Sequence, residues 1–180
     1  MRLLNRYFVV GLLALTLCLM SVQQVYAHLM VAQHGTLNLI GKDVFMVLSL
    51  PISAFEGIDE DNDGKVTMVE FNNHRGEVVD AIRQEITLGS AGKNAVLEGL
   101  VLSPVQPHNS ALQVISQLVV MGRFTLDDPA GALRFQVGLY GRQTAQQTLE
   151  VTATRKYDSR KAIFELTPSA SAAVIFPEDG

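Results

Sequence analysis

The stretch Leu133-Arg134-Phe135-Gln136-Val137-Gly138-Leu139 places an apolar side chain at every second position, with a polar or small residue between. Successive side chains of an extended strand point to opposite faces, so this alternation describes a strand with one buried face. Leu149, Val151 and Ala153 repeat the pattern around Glu150 and Thr152. Outward from these lie further runs of β-favouring residues: Thr36 to Ile40, Val44 to Leu50, Ala95 to Ser103, Ser116 to Leu126, Lys161 to Leu166 and Ala172 to Phe176. The two alternating runs extend over Leu133 to Tyr140 and Thr148 to Arg155. Turn-forming residues separate most of them, at Gly41-Lys42-Asp43, Gly89-Ser90-Ala91-Gly92, Asp127 to Gly131 and Lys156 to Arg160, and Pro104 to Ser110 reads as a surface loop. About eight strands at this spacing predict a mainly β chain built as an antiparallel β-sandwich. An elongated β-barrel would use the same strands, and periodicity does not fix their order.

One helix interrupts the series. Phe71, Val78, Val79, Ile82 and Ile86 fall on one side of a helix from Glu70 to about Ile86, which Gly76 weakens without forbidding. Immediately before it stands Asp59-Glu60-Asp61-Asn62-Asp63-Gly64-Lys65-Val66-Thr67-Met68-Val69-Glu70. The spacing D-x-[DN]-x-[DN]-G-x5-E sets oxygen ligands at alternate positions of a tight loop, so that the chain surrounds one hard cation. Asp59, Asp61 and Asp63 would supply carboxylate oxygens, Gly64 the sharp turn, Lys65 its backbone carbonyl, Thr67 a water-holding side chain and Glu70 a bidentate carboxylate, while Val66 points inward.

In these twelve residues the chain resembles the EF-hand family, which implies calcium as the ion and a loop flanked by helices. The entering helix is vestigial, because Pro51 and Gly57 leave room for about one turn, started by Ser53 with Glu56 as a capping box. EF-hands usually pair through loop position eight, but neither Asp127-Asp128-Pro129 nor Asp158-Ser159-Arg160 continues the pattern, so a single hand is expected. The loop and its helix then form an insertion at about 51–88 in one β-rich domain over 28–180.

Residues 1–27 read as a secretory signal peptide, with Arg2 and Arg6 before the apolar run Tyr7 to Met20 and a cleavage site after Val25-Tyr26-Ala27. The expected location is the periplasm or outside the cell, with no membrane insertion after cleavage. Cys18 is the only cysteine, so the mature chain has no disulfide. The net charge of -4 becomes -6 without Arg2 and Arg6, which disfavours nucleic acid and anionic membranes and leaves a protein partner as the open class. No G-x-S-x-G, H-E-x-x-H, mature cysteine nucleophile or phosphate-cradling glycine loop is present, so an enzyme is not expected.

Cleavage before His28 would join a free amine to an imidazole, a pair that chelates copper. Met30, His34, His74, His108, Met46, Met68 and Met121 are further nitrogen and thioether donors, so a copper-handling accessory protein is the alternative reading. The leader, the start at His28, the β-rich domain and the single Asp-rich loop also resemble exported domains of some bacterial hydrogenase and urease accessory permeases. That resemblance implies a metal-handling role at the periplasmic face, although their membrane helices are not found in this sequence.

Overall fold

A computed structural model describes residues 33–107 and 114–177. The predicted leader, His28, Met30 and His108 lie outside the described residues. The described chain is mainly β and sandwich-like, as the alternation predicts, and none of its helices is long and apolar enough to cross a membrane.

Its strands are β1 (His34–Ile40), β2 (Asp43–Pro51), β3 (Val66–Thr67), β4 (Ile86–Ser90), β5 (Lys93–Asn94), β6 (Leu97–Val105), β7 (Val114–Ile115), β8 (Gln117–Thr125), β9 (Leu133–Val137), β10 (Leu149–Arg155), β11 (Arg160–Leu166) and β12 (Ala172–Ile175). They form a six-stranded sheet in the order β11-β10-β1-β2-β8-β6, a four-stranded sheet β12-β9-β4-β5, and a two-stranded ladder β3-β7. One pairing departs from the antiparallel expectation. β1 and β10 run parallel, with Leu37 opposite Ala153 and Leu39 opposite Arg155. The chain returns to its first strand only after three of the four strands of the second sheet, β4, β5 and β9, are in place.

A single cluster of buried side chains unites the two sheets and the helices. Leu37, Met46, Leu48, Val120, Phe124 and Val151 come from the large sheet, Leu88, Phe135 and Val137 from the small one, and Phe71, Val78 and Ile82 from the helical segment. Each of these strand residues sits on the inward half of its alternating pattern, so periodicity places the core directly.

The predicted helix divides into α1 (Met68–Asn73) and α2 (Arg75–Glu85), with His74 between them at φ -99° and ψ 13°. It also stops short: Ile86 has extended backbone and starts β4, which pairs with β9. The predicted turn over Gly89 to Gly92 is correspondingly shorter, since Gly89 and Ser90 belong to β4 and only Ala91 and Gly92 turn, both at positive φ. Gly89 is there because of a close approach. A Cβ at that position would run into the Lys93 carbonyl oxygen and lie 2.8 Å from Asn94 Oδ1.

Arg155 ends β10 on the inner face and is 2% exposed. Its guanidinium donates to Asp158 Oδ2 at 2.7 and 3.0 Å and to the Ala130 carbonyl at 2.9 Å, and lies over the rings of Tyr157 and Phe176 at 4.9 and 4.7 Å from their centroids. Burying the charge is tolerable only with these partners in place. Arg155→Ala removes the stem packing and leaves the Ala130 carbonyl unmatched, whereas Asp158 can turn to water. The expected loss is about 2 kcal/mol, read as a lower urea midpoint at unchanged m-value, with Arg155→Met recovering part of it.

Candidate metal centre

The chain enters the acidic loop through a single 3-10 turn, Ile52–Ala54, following β2. The predicted capping box at Ser53 does not form: the turn begins at Pro51 without a side-chain cap, and Ser53 Oγ donates instead to Gln146 Oε1 at 2.9 Å. Phe55 and Ile58 are buried and anchor the loop's first end, as Val66 and Phe71 anchor its second.

Between these anchors the loop winds around its own carboxylates. The Gly64 N–H donates to Asp59 Oδ2 at 3.0 Å, Asp63 N–H to Asp61 Oδ1 at 3.1 Å and Lys65 N–H to Asp63 Oδ1 at 2.8 Å. Gly64 has φ 81°, a conformation a Cβ resists, which accounts for glycine at the turn. As a result one oxygen from each of Asp59, Asp61 and Asp63 lies within 4.8 Å of the others. Two oxygens on opposite sides of an ion bound at about 2.4 Å are separated by about 4.8 Å, so this group can hold a hard cation. Asp59 Oδ1 is buried and has no hydrogen-bond donor. A carboxylate oxygen removed from water without a partner is costly, and a cation is the partner that three converging carboxylates suit.

Glu70 is placed differently from the three aspartates. It is buried on the first turn of α1, where Oε1 accepts from Glu60 N–H at 3.0 Å and Oε2 from the Thr67 N–H and hydroxyl, both at 2.8 Å. Thr67 Oγ1 also accepts from Glu70 N–H at 3.3 Å, completing a capping box at the head of α1. The Glu70 carboxylate thus ties the beginning of the loop to its end. The Thr67 backbone N–H, then its hydroxyl, hold the carboxyl below its ordinary value against the opposing effect of burial. The T-x-x-E spacing that announces this box is plain in Thr67-Met68-Val69-Glu70. The Lys65 side chain reaches back to Asp63 Oδ2 at 3.8 Å.

The residue at loop position eight finds a partner within the same chain. Val66 pairs with Ile115 and Thr67 with Val114 in the β3-β7 ladder. Val66 is buried in that ladder, so no second acidic loop is needed to cover it.

His74 marks the break between the helices. Its Nδ1 lies 2.5 Å from Glu77 Oε2 and its Nε2 3.1 Å from Glu60 Oε1, so both ring nitrogens face carboxylates. The Glu77 hydrogen bond is the main cause that raises its pKa above the ordinary 6.5, partly offset by burial. A raised histidine stabilises the fold fully below pH 6.5, and the contribution disappears as pH climbs through the folded value. The lowered Glu70 acts oppositely, contributing above pH 4.5 and losing its effect as pH falls through its folded value. Metal-stripped protein in chelator is therefore expected to melt at the highest temperature between about pH 4.5 and 6.5. In His74→Gln the decline on the alkaline side should be absent, which thermal melts at a series of pH values would check.

The copper donors are scattered among the described residues. His34 on β1 lies 3.4 Å from Glu150, Met46 is buried in the core, and Met121 faces outward on β8. Among the described residues, the group of three or more close metal-ligating side chains of the His, Cys, Asp and Glu types is the aspartate cluster. No protein-family model matches this chain, and no curated protein matches it significantly.

Proposed function

We propose that the loop from Asp59 to Glu70 binds one calcium ion in the manner of a single EF-hand, and that the protein is an exported, non-enzymatic calcium-binding module. Asp59, Asp61 and Asp63 supply the first oxygens, with the Lys65 carbonyl, Thr67 and Glu70 completing the shell. The observation that carries this reading is the donorless, buried Asp59 Oδ1 within a cluster of three aspartates already wound to cation-binding distances. An all-oxygen set drawn from an irregular loop suits calcium, which accepts six to eight oxygens, better than magnesium, which demands a tight octahedron. The signal peptide read in residues 1–27 supports a compartment where millimolar calcium is ordinary.

The ion's role in this reading is to neutralise mutually repelling carboxylates and to fix the approach of the 3-10 turn to α1, setting the surface that a protein partner meets. The loop pairs with no second acidic loop among the described residues, and an affinity on the order of 10⁻⁴ to 10⁻³ M, as in extracellular modules, is expected. Calorimetric titration of metal-stripped protein should show one calcium site and little response to magnesium at the same concentration. Absence of calcium heat and thermal shift, with tight copper binding instead, would overturn the reading in favour of His28.

A further inference from the structure

Away from the acidic loop, a cleft of about 700 Å³ lies at the end of the large sheet where the β1-β2 and β10-β11 hairpins turn. Four cationic residues line it, Arg155, Lys156, Arg160 and Lys161, and no carboxylate does, in a chain whose net charge is -4. Arg155 is buried and its charge is matched by Asp158, and Arg160 donates to the Pro177 carbonyl at 2.9 Å. Lys156 and Lys161 are exposed and make no ion pair among the described residues, so their field is directed into the cleft and the solvent above it.

The floor is apolar where the walls are basic. Ile40 and Phe45 are 47% and 44% exposed there and share one cleft, so together they offer an apolar patch rather than a single exposed side chain. Strand register fixes the layout. Lys161 stands opposite Thr154, Thr154 opposite Asn38, and Asn38 opposite Phe45, while Thr154 Oγ1 donates to Asn38 Oδ1 at 2.7 Å and locks the middle of the row. Three strand spacings of about 4.8 Å separate the cation from the aromatic ring by about 14 Å, the reach of roughly four extended residues.

We propose that this cleft docks an acidic peptide segment of a protein partner, with an aromatic or aliphatic side chain set on Ile40 and Phe45 and flanking carboxylates on Lys156 and Lys161. Charge complementarity selects the occupant: an anion is drawn to a cleft whose charged lining is uniformly basic in a chain of net negative charge, and the apolar floor requires more than an inorganic anion. A peptide also fits better than an anionic bilayer, because the cations line a concavity and the chain as a whole is negative. The cleft lies apart from the aspartate cluster, so the proposal stands whether or not the loop binds calcium.

The test is fluorescence anisotropy on the full chain with two labelled peptides, Glu-Glu-Phe-Glu-Glu and Lys-Lys-Phe-Lys-Lys. The acidic peptide should bind at least about tenfold more tightly, and binding should weaken steeply as ionic strength rises from about 0.05 to about 0.5 M. The double variant K156E/K161E should lose about tenfold or more, and Phe45→Ser roughly threefold to tenfold, in proportion to the apolar contact removed. Should the reversed variant fold poorly, K156Q/K161Q asks the same question with a loss of about threefold. Equal binding of the two peptides, or acidic-peptide binding unchanged by the lysine variants, would overturn the proposal. So would co-sedimentation with phosphatidylglycerol vesicles without any binding of the acidic peptide.

Discussion

Replacing Glu70 by Gln is expected to lower calcium affinity by roughly 100-fold while leaving the β core folded. Two losses add. The substitution deletes one of the loop's carboxylate charges, and charge count is a principal determinant of affinity in such loops. It also loosens the clasp that holds the loop in shape. The Glu70 carboxylate accepts from Glu60 N–H on one side and from the Thr67 N–H and hydroxyl on the other. An amide keeps only one accepting oxygen, so its NH2 must face a backbone donor on one side or the other. Loop and α1 then separate more readily, and the aspartates must be regathered at each binding event. Most of the core does not depend on this clasp, because most of its large residues come from the two sheets and α2, and Phe71 of α1 stays apolar and anchored in the variant. Calcium calorimetry on the variant, with circular dichroism for the fold, checks both parts. Unchanged affinity would remove Glu70 from the site, and a collapsed spectrum would make the loop part of the folding nucleus. Asp59→Asn is the useful companion, since an amide oxygen can still accept from Gly64 while the uncompensated carboxylate charge is gone.

The features legible in the sequence are those set by local rules. Leu133, Phe135 and Val137 alternate with polar neighbours and prove buried, and the residues of β10 do the same. Asp59, Asp61 and Asp63 converge because each short carboxylate caps a backbone N–H two or five residues ahead, a geometry written into the spacing. What was hidden depends on distant partners. Ile86 continues the apolar stripe of Val78 and Ile82 at helical spacing, so only its pairing with Val137 reveals it as a strand. The two-residue strands β3 and β7 are too short to show a period at all. Arg155 reads as the polar end of a strand, yet two rings and Asp158 bury it. The parallel β1-β10 pairing joins segments more than a hundred residues apart, and no local pattern records which strand a given edge will meet. Glu70 was recognisable as part of the site, but its clasp on Thr67 was visible only through the T-x-x-E spacing, which competes with a metal-ligand reading of the same two residues.

Phe71→Ala provides the opposite experiment, aimed at the core beneath the loop. Phe71 follows Glu70 on α1, is wholly buried, and carries the Arg75 guanidinium over its ring at 5.7 Å from the centroid. Truncating a buried phenylalanine removes its transfer energy and opens a cavity, and the expected cost is about 3–5 kcal/mol in chelator, seen as a lower urea midpoint. Calcium should return a defined part of this. A ligand that binds only the folded state stabilises by RT ln(1 + [L]/Kd), which is about 2.7 kcal/mol at a free concentration of 100 Kd. Phe71→Ala keeps every proposed ligand, so it should recover close to that amount, and the increment should follow its own measured Kd. Glu70→Gln at the same calcium concentration should recover almost nothing, although it starts from the more stable apo protein. The two variants therefore cross: one damages packing and responds to the ion, the other spares packing and does not. Parallel responses to calcium in both would mean that the stabilising ion acts somewhere other than the loop between Asp59 and Glu70.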